Sequence, residues 1–259
     1  SDFYFSRWKI LQDPLRRRFM ERAVLELRKS HEKKTRQLIE LNEAGLDTTK
    51  LAKTPVLAAV VVSADRKHVY WCHKGEFEEF IDDGKRDVTW DHHCEYMLFE
   101  RVVGEDNKHL FTGGELYVTL EPCSKRGATG SEDDRHAKIP CAVRCLEMGI
   151  KRVYVASIDF HPKVDEDGIE ILTQGCYVFD LSEGQVTGKP DELEGIQYLE
   201  KHFIEKKYPA VTSVGEKRRE YWIGNSVELE WFDVDLSKEA YELNWRFQQP
   251  LNPEAFDRD

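Results

Sequence analysis

No stretch of this 259-residue sequence is apolar for long enough to cross a bilayer. The longest clean run, Val56 to Val62, is seven residues, against the roughly 20 that a spanning helix needs. The first residues, Ser1-Asp2-Phe3-Tyr4-Phe5-Ser6-Arg7, have neither the basic start nor the apolar stretch of a secretory signal. These two absences predict a cytoplasmic protein with no membrane partner. Internal repeats and low-complexity segments are missing as well, which tells against a solenoid or an array. Positive charge is in deficit, with 38 Lys and Arg against 49 Asp and Glu and a formal net charge of −11. Such a field repels polyanions, so tight nonspecific binding to nucleic acid is disfavoured unless a local basic patch overrides it.

What is present fits a soluble globular chain, 40% hydrophobic and 34% charged, long enough to bury a core without disulfides or a structural metal. The six cysteines are Cys72, Cys94, Cys123, Cys141, Cys145 and Cys176. Their even number invites a disulfide reading, but with no sign of secretion metal binding or simple burial is the better expectation.

Phe19, Met20, Ala23, Val24 and Leu27 recur at three- and four-residue spacing, so Pro14 to about Ala44 reads as a long amphipathic helix stopped by Gly45. Arg16-Arg17-Arg18 on it reads as a solvated face. Pro55 to Val62 reads as a strand buried on both faces, and Val69 to Cys72 as its hairpin partner across an Asp65-Arg66-Lys67 turn. Trp90 to Val103 returns to helical spacing, and Gly113-Gly114 breaks the chain before the strand Glu115 to Leu120. A helix over Ile139 to Met148, a strand over Arg152 to Ile158 and a last strand over Gly175 to Leu181 follow. This alternation implies helices packed on a mixed sheet. After Ser182 the pattern loosens, with helical spacing around Leu193 to Phe203 and a short Val227–Trp231 strand. The expected organisation is a main α/β domain with an N-terminal helix over 1–182 and an α/β extension over 183–259 packing on it.

The chemistry concentrates in three places. His93-Cys94-Glu95 opens a helix, Glu121-Pro122-Cys123 ends a strand, and Ile139-Pro140-Cys141 opens the next helix. A His-x-Glu followed by Pro-Cys and a second Cys is the signature of zinc deaminases. A catalytic zinc takes three protein ligands and leaves a fourth tetrahedral position to water. One imidazole and two thiolates cancel its charge, and the weaker Lewis acid that results benefits from a nearby base. Positions i and i+2 on a helix do not point the same way, so Glu95 stays off the metal that His93 grips yet reaches the water beside it. Cys141 lies where Pro140 can begin a helix, and a helix N-terminus favours the thiolate that zinc needs.

The spacing departs from the usual signature. Seventeen residues, Ser124 to Pro140, separate the two cysteines, and Arg126 stands where a Cys-x-x-Cys would need its second thiol. Loop lengthening costs only about 0.6 kcal/mol per doubling, so closure on one metal remains feasible. Cys94 and Cys145 are the nearest competing ligands. Cys145, one turn beyond Cys141, reads as a buried small hydrophobe, and Cys72 and Cys176 as core residues on strands.

These residues resemble the cytidine-deaminase superfamily, and within it the pyrimidine deaminases of riboflavin biosynthesis. The likeness runs from about Phe19 to Leu181. It is carried by Arg18 to Val24, by Leu116 to Ser124 around the first cysteine, by His136 to Arg144 around the second, and by Gly149 to Val153 and Gly168 to Leu172. The resemblance implies a three-layer α/β/α fold with a mixed central sheet, a bound Zn2+ and deamination of an aminated ring, without the reductase domain that often follows in that family. Two features of the family are altered here. Its Pro-Asn-Pro becomes Thr54-Pro55-Val56-Leu57, and its Asp-Pro-Asn-Pro becomes Asp159-Phe160-His161-Pro162. His31 to Lys53 and Gly127 to Arg135 look like insertions.

The reading is therefore a deaminase with His93, Cys123 and Cys141 as metal ligands and Glu95 as proton carrier. His73, Arg135, His136, Lys138, Asp159 and His161 are candidate substrate contacts, and Glu121 is read as structural. The expected partner is a small phosphorylated heterocycle or a nucleotide: a riboflavin-precursor pyrimidine, or an adenine or cytosine nucleotide. A homo-oligomer is compatible with this. Two rivals stand beside it. One is a base deaminase acting on DNA or RNA, which the acidic balance disfavours. The other is a catalytically silent zinc module, against which Glu95 tells, because structural zinc needs a fourth ligand rather than a base.

Overall fold

A computed structural model of the protein describes residues 13–80, 86–88, 90, 92–124, 139–158, 167–180, 190–213, 218–231 and 234–248. Helix α1 (Pro14–Glu43) starts where Asp13 caps it, its side chain accepting from the Leu15 and Arg16 amides, with proline in the first turn. It ends at Gly45, whose φ of +68° is a left-handed backbone that glycine adopts without strain. Its buried stripe of Met20, Ala23, Val24 and Leu27 recurs at helical spacing. A short helix α2 (Thr49–Lys53) then leads to the first strand.

The central sheet has five strands in the order β10-β6-β5-β1-β2. Strand β1 (Ala58–Val62) pairs antiparallel with β2 (Val69–His73) on one side and with β5 (Glu115–Val118) on the other. Strand β6 (Arg152–Val155) runs parallel to β5, and β10 (Glu228–Trp231) runs parallel to β6. All five residues of β1 are buried, because helices cover both faces. Ala58, Val60 and Val62 pack with α1 and with α7 (Val234–Gln248) in one apolar cluster. Ala59 and Val61 pack on the opposite face. There they meet α3 (Cys94–Met97), which continues as a π-helical turn over Leu98–Val103, together with α4 (Cys141–Glu147) and α5 (Asp167–Gln174). The fold is thus a mixed sheet between two helical layers. Strands β3 (Glu78–Phe80) and β4 (Arg86–Val88) pair antiparallel in a separate two-stranded sheet.

The C-terminal segments depart from the order expected from sequence. Strand β7 (Cys176–Asp180) forms, but it belongs to a separate antiparallel sheet with β9 (Arg218–Trp222) and β8 (Ala210–Ser213). This sheet packs with α6 (Pro190–Glu205), whose Phe203 lies edge-on to Tyr177 and Tyr208. The edge of the central sheet is taken instead by β10. The following helix, α7, is tied to the start of β1 by Asn244, which is fully buried. Its Oδ1 accepts the Val56 amide at 3.1 Å, and its Nδ2 donates to the Ala240 carbonyl at 3.3 Å.

In the triple-arginine face of α1, Arg18 is exposed as expected, but Arg16 departs from that reading. Arg16 does not stand in solvent: its Nε and Nη2 donate to Glu115 Oε1 at 3.1 and 2.7 Å, and Tyr117 donates to Glu115 Oε2 at 2.7 Å. Burial alone would raise the Glu115 carboxyl, but these donors hold it below its ordinary value. Arg17 is engaged on the surface with Glu21. No helix among the described residues is long and apolar enough to cross a membrane.

Asn244→Ala would leave the buried Val56 amide without its acceptor, which costs about 1–3 kcal/mol. Urea denaturation should show that loss as a lower midpoint with an unchanged slope. A midpoint equal to that of the unaltered chain would mean that α7 is not anchored there.

Candidate metal centre

Strands β5 and β6 are parallel, so both end at the same edge of the sheet, where ligands of open α/β sheets bind. Beyond β5 the chain is pinned to β1, with Thr119 N donating to the Ala58 carbonyl and the Ala58 amide donating to Thr119 Oγ1. Glu121 N then donates to Ser157 O at 2.9 Å, which joins the two strand ends. The Glu121 carboxylate turns away from the metal group. Its Oε1 accepts the Gly168 and Ile169 amides at 3.1 and 3.2 Å and so caps the first turn of α5. Gly168 is a glycine for lack of room: a Cβ there would stand 1.9 Å from the Pro122 carbonyl oxygen. Helix α5 thereby clamps the Glu121-Pro122-Cys123 segment from beneath.

Three side chains converge on this segment. His93 precedes α3, Cys123 follows β5, and Cys141 is the first residue of α4. Their ligand atoms all lie within 4.8 Å of one another. Cys141 Sγ is 3.5 Å from His93 Nδ1. A tetrahedral zinc with bonds of about 2.3 Å to sulfur and 2.05 Å to nitrogen would set that edge near 3.6 Å. The donor set fits zinc in chemistry too, since one neutral imidazole and two thiolates balance a divalent ion. The Cys141 amide donates to Cys123 Sγ at 3.3 Å, and the Ala142 amide to Cys123 O at 3.2 Å. The start of α4 thus both supplies one ligand and orients another.

Glu95 sits in the first turn of α3, 2% exposed, and is not a member of the ligand group. The two rival cysteines are not members either. Burial pushes the Cys94 and Cys145 thiols well above their ordinary range, with the Glu95 charge adding to it, so both stay protonated. Cys145 fills the apolar layer between α3 and α4. Cys94 was weighed in the sequence only as a ligand, yet its thiol donates to Glu95 Oε2 at 3.4 Å and steadies that carboxylate. Its adjacency to Glu95 was the only signal for this.

Among the substrate candidates, His73 ends β2, is buried, and bonds through Nδ1 to the Lys74 carbonyl at 3.1 Å. It is paired with Ala58 at the end of the sheet from which the Cys123 segment departs. Arg135, His136, Lys138, Asp159 and His161 lie outside the described residues.

Gly168→Ala should force the Cys123 segment away from α5. Overpacking of this kind costs about 1–3 kcal/mol, and the displaced thiolate should also weaken metal retention. Zinc loss to a chelator, followed alongside thermal melting, checks both. An alanine variant that keeps zinc and melts as the unaltered chain does would show that the clamp is not needed.

Several known proteins are similar to this chain. The RibD structure from Acinetobacter baumannii, form 1, aligns over 90% of this chain and 40% of its own at 18% identity, with a TM-score of 0.38. Riboflavin biosynthesis protein RibD of Bacillus amyloliquefaciens is 36% identical over 103 residues, 40% of this chain. The aligned part spans only 24% of that relative's length. A diaminohydroxyphosphoribosylamino-pyrimidine deaminase of Buchnera aphidicola subsp. Acyrthosiphon pisum is 40% identical over 60 residues, 23% of this chain and 35% of its own. The profile of the cytidine and deoxycytidylate deaminase zinc-binding region matches residues 28–157, a span holding all three residues of the metal group and Glu95. By that match this chain belongs to the family of the cytidine and deoxycytidylate deaminase zinc-binding region.

Proposed function

We propose that this chain is a zinc-dependent hydrolytic deaminase that converts a ring amine of a small phosphoribosylated pyrimidine to a carbonyl and releases ammonia. The observation that carries the reading is that, among the described residues, a three-member His93/Cys123/Cys141 group pairs with a buried carboxylate, Glu95, two residues from His93 and outside the group. A structural site would close with a fourth protein ligand, whereas a catalytic one keeps a position open and a base beside it.

His93, Cys123 and Cys141 would hold a zinc ion, which would supply Lewis acidity for activating water at the open position. Glu95 would take a proton from the attacking water and deliver it to the ring nitrogen as the hydroxide adds to the amine-bearing carbon; it would then carry the new hydroxyl's proton to the amine, so that the C–N bond breaks, ammonia leaves and the carbonyl forms. The Cys94 thiol on Oε2 holds the carboxylate in one orientation through these transfers. Burial of Glu95 keeps bulk water from competing for the proton.

The substrate class draws support from two sides. The Buchnera relative is named for a phosphoribosylamino-pyrimidine, and the net charge of −11 disfavours a long polyanion while leaving a single phosphate within reach of a few local donors. The Arg135, His136 and Lys138 segment lies between two of the metal ligands in sequence and offers further charged donors to the polar groups of the substrate.

Glu95→Gln should retain zinc and fold while kcat drops by roughly 10²–10⁴, the range for a lost general base. Metal analysis and steady-state ammonia release on phosphoribosylated pyrimidines read the two effects separately. Near-normal turnover in the glutamine variant, or release of ammonia only from single-stranded DNA or RNA, would sink the reading.

A further inference from the structure

Helix α1 turns a basic face toward the end of β2. Lys29, Lys33 and Arg36 are spaced four and three residues apart and share that face. With Glu32, His73 and Glu76 they line a cleft of about 280 Å³. Lys29 is held by the buried Glu26, its Nζ 2.8 Å from Oε1. Lys33 and Arg36 have no ion-pair partner among the described residues. That is notable in a chain where 49 acidic side chains compete for 38 basic ones: cations left unpaired side by side in a concavity cost repulsion that a bound anion relieves.

His73 provides a second, independent pointer. It is only 9% exposed, and its Nδ1 is committed to the Lys74 carbonyl. A carbonyl oxygen only accepts, so Nδ1 carries the proton and Nε2 is the ring's remaining polar atom for a ligand. No protein partner for Nε2 exists among the described residues. The Glu76 carboxylate accepts the His73 amide at 3.1 Å, so it is fixed at the rim. The cleft lies at the same end of the sheet as the metal centre. His73 pairs with Ala58, and Ala58 O accepts from Thr119 at the root of the Cys123 segment. Cys72 feels both acids: burial raises its thiol first, and the charges of Glu76 and Glu95 raise it further.

We propose that this cleft seats the phosphate group of the substrate, with Lys33, Arg36 and His73 as its donors. The proposal rests on the reading above that the substrate is a phosphorylated small molecule, and it adds the place where the phosphate sits. The cleft is smaller than the roughly 300–1,000 Å³ of pockets that enclose a whole ligand, as suits one end of a molecule whose ring lies elsewhere. The rim acids Glu32 and Glu76 repel further phosphates, which selects a monoester over a polymer.

Calorimetric titration of the zinc-loaded full chain with inorganic phosphate at low ionic strength tests the seat without any turnover. One-site binding is expected, weakened roughly tenfold or more in the K33A/R36A double variant, as loss of charge-assisted bonds implies. The K33R/R36K variant, which keeps both charges, should recover most of that loss. The affinity ratio of a nucleoside 5′-monophosphate over its nucleoside should fall by the same factor in K33A/R36A, which ties the seat to the ester as well as to free phosphate. No phosphate binding by the unaltered chain, equal binding by the double variant, or an unchanged ratio would each overturn the proposal. A chain that binds phosphate as described yet releases no ammonia from any substrate would overturn the deaminase reading instead, so the two failures are distinguishable.

Discussion

Three ligand atoms from three separate segments must meet within a few ångströms, and most of the surrounding structure follows from that requirement. A tetrahedral ion tolerates errors of a few tenths of an ångström in its ligand positions, whereas loops left to themselves wander by far more. Here each ligand sits at the end of a regular element. His93 leads into α3, Cys123 leaves β5, and Cys141 begins α4. The sheet brings these ends to one edge, and the amide of Cys141 bonds directly to the Cys123 sulfur. The second ligand is thus oriented by the backbone of the third.

The supports beneath the site have separate tasks. Thr119 fastens the β5 end to β1, Glu121 fastens it to the β6 end and caps α5, and the bare Cα of Gly168 lets α5 approach the Pro122 carbonyl. At the far end of the sheet Arg16 balances the charge of Glu115, to which Tyr117 also donates, and the pair seats the start of α1. The helical layers hold the sheet from both sides, so β1 is buried along its whole length and the edge that carries the site has a rigid floor. The same long helix that closes one face carries the basic residues of the cleft beside His73. If that cleft seats the phosphate as proposed, scaffold and substrate selection are linked through α1.

Much of this was legible in the sequence because the decisive signals are local. Proline before each metal-binding cysteine, a single residue between His93 and Glu95, and the apolar run before Ser63 each mark an element end within a few residues. What escaped depends on pairing across long separations. Arg16 looked like a solvated residue because its partner Glu115 lies 99 residues away. Strand β7 read as the last strand of the sheet because adjacency in sequence is a poor guide to a parallel edge, which β10 takes instead. Helix α7 had a pattern too weak to stand out, and its anchor joins Asn244 to Val56 over 188 residues. Glu95 and its neighbour Cys94 were both noticed, but only the folded chain shows the thiol bonded to the carboxylate rather than turned to the metal.

The claim at the centre is a zinc ion with three protein ligands, one nitrogen and two sulfurs, and an open fourth position beside Glu95. Zinc-edge X-ray absorption on the zinc-loaded chain measures that set directly. Two sulfurs at about 2.3 Å and two lighter atoms at about 2.0–2.1 Å are expected, one of the lighter atoms exchanging with added small anions. A shell of three or four sulfurs, with Cys94 or Cys145 on the metal, would contradict the account.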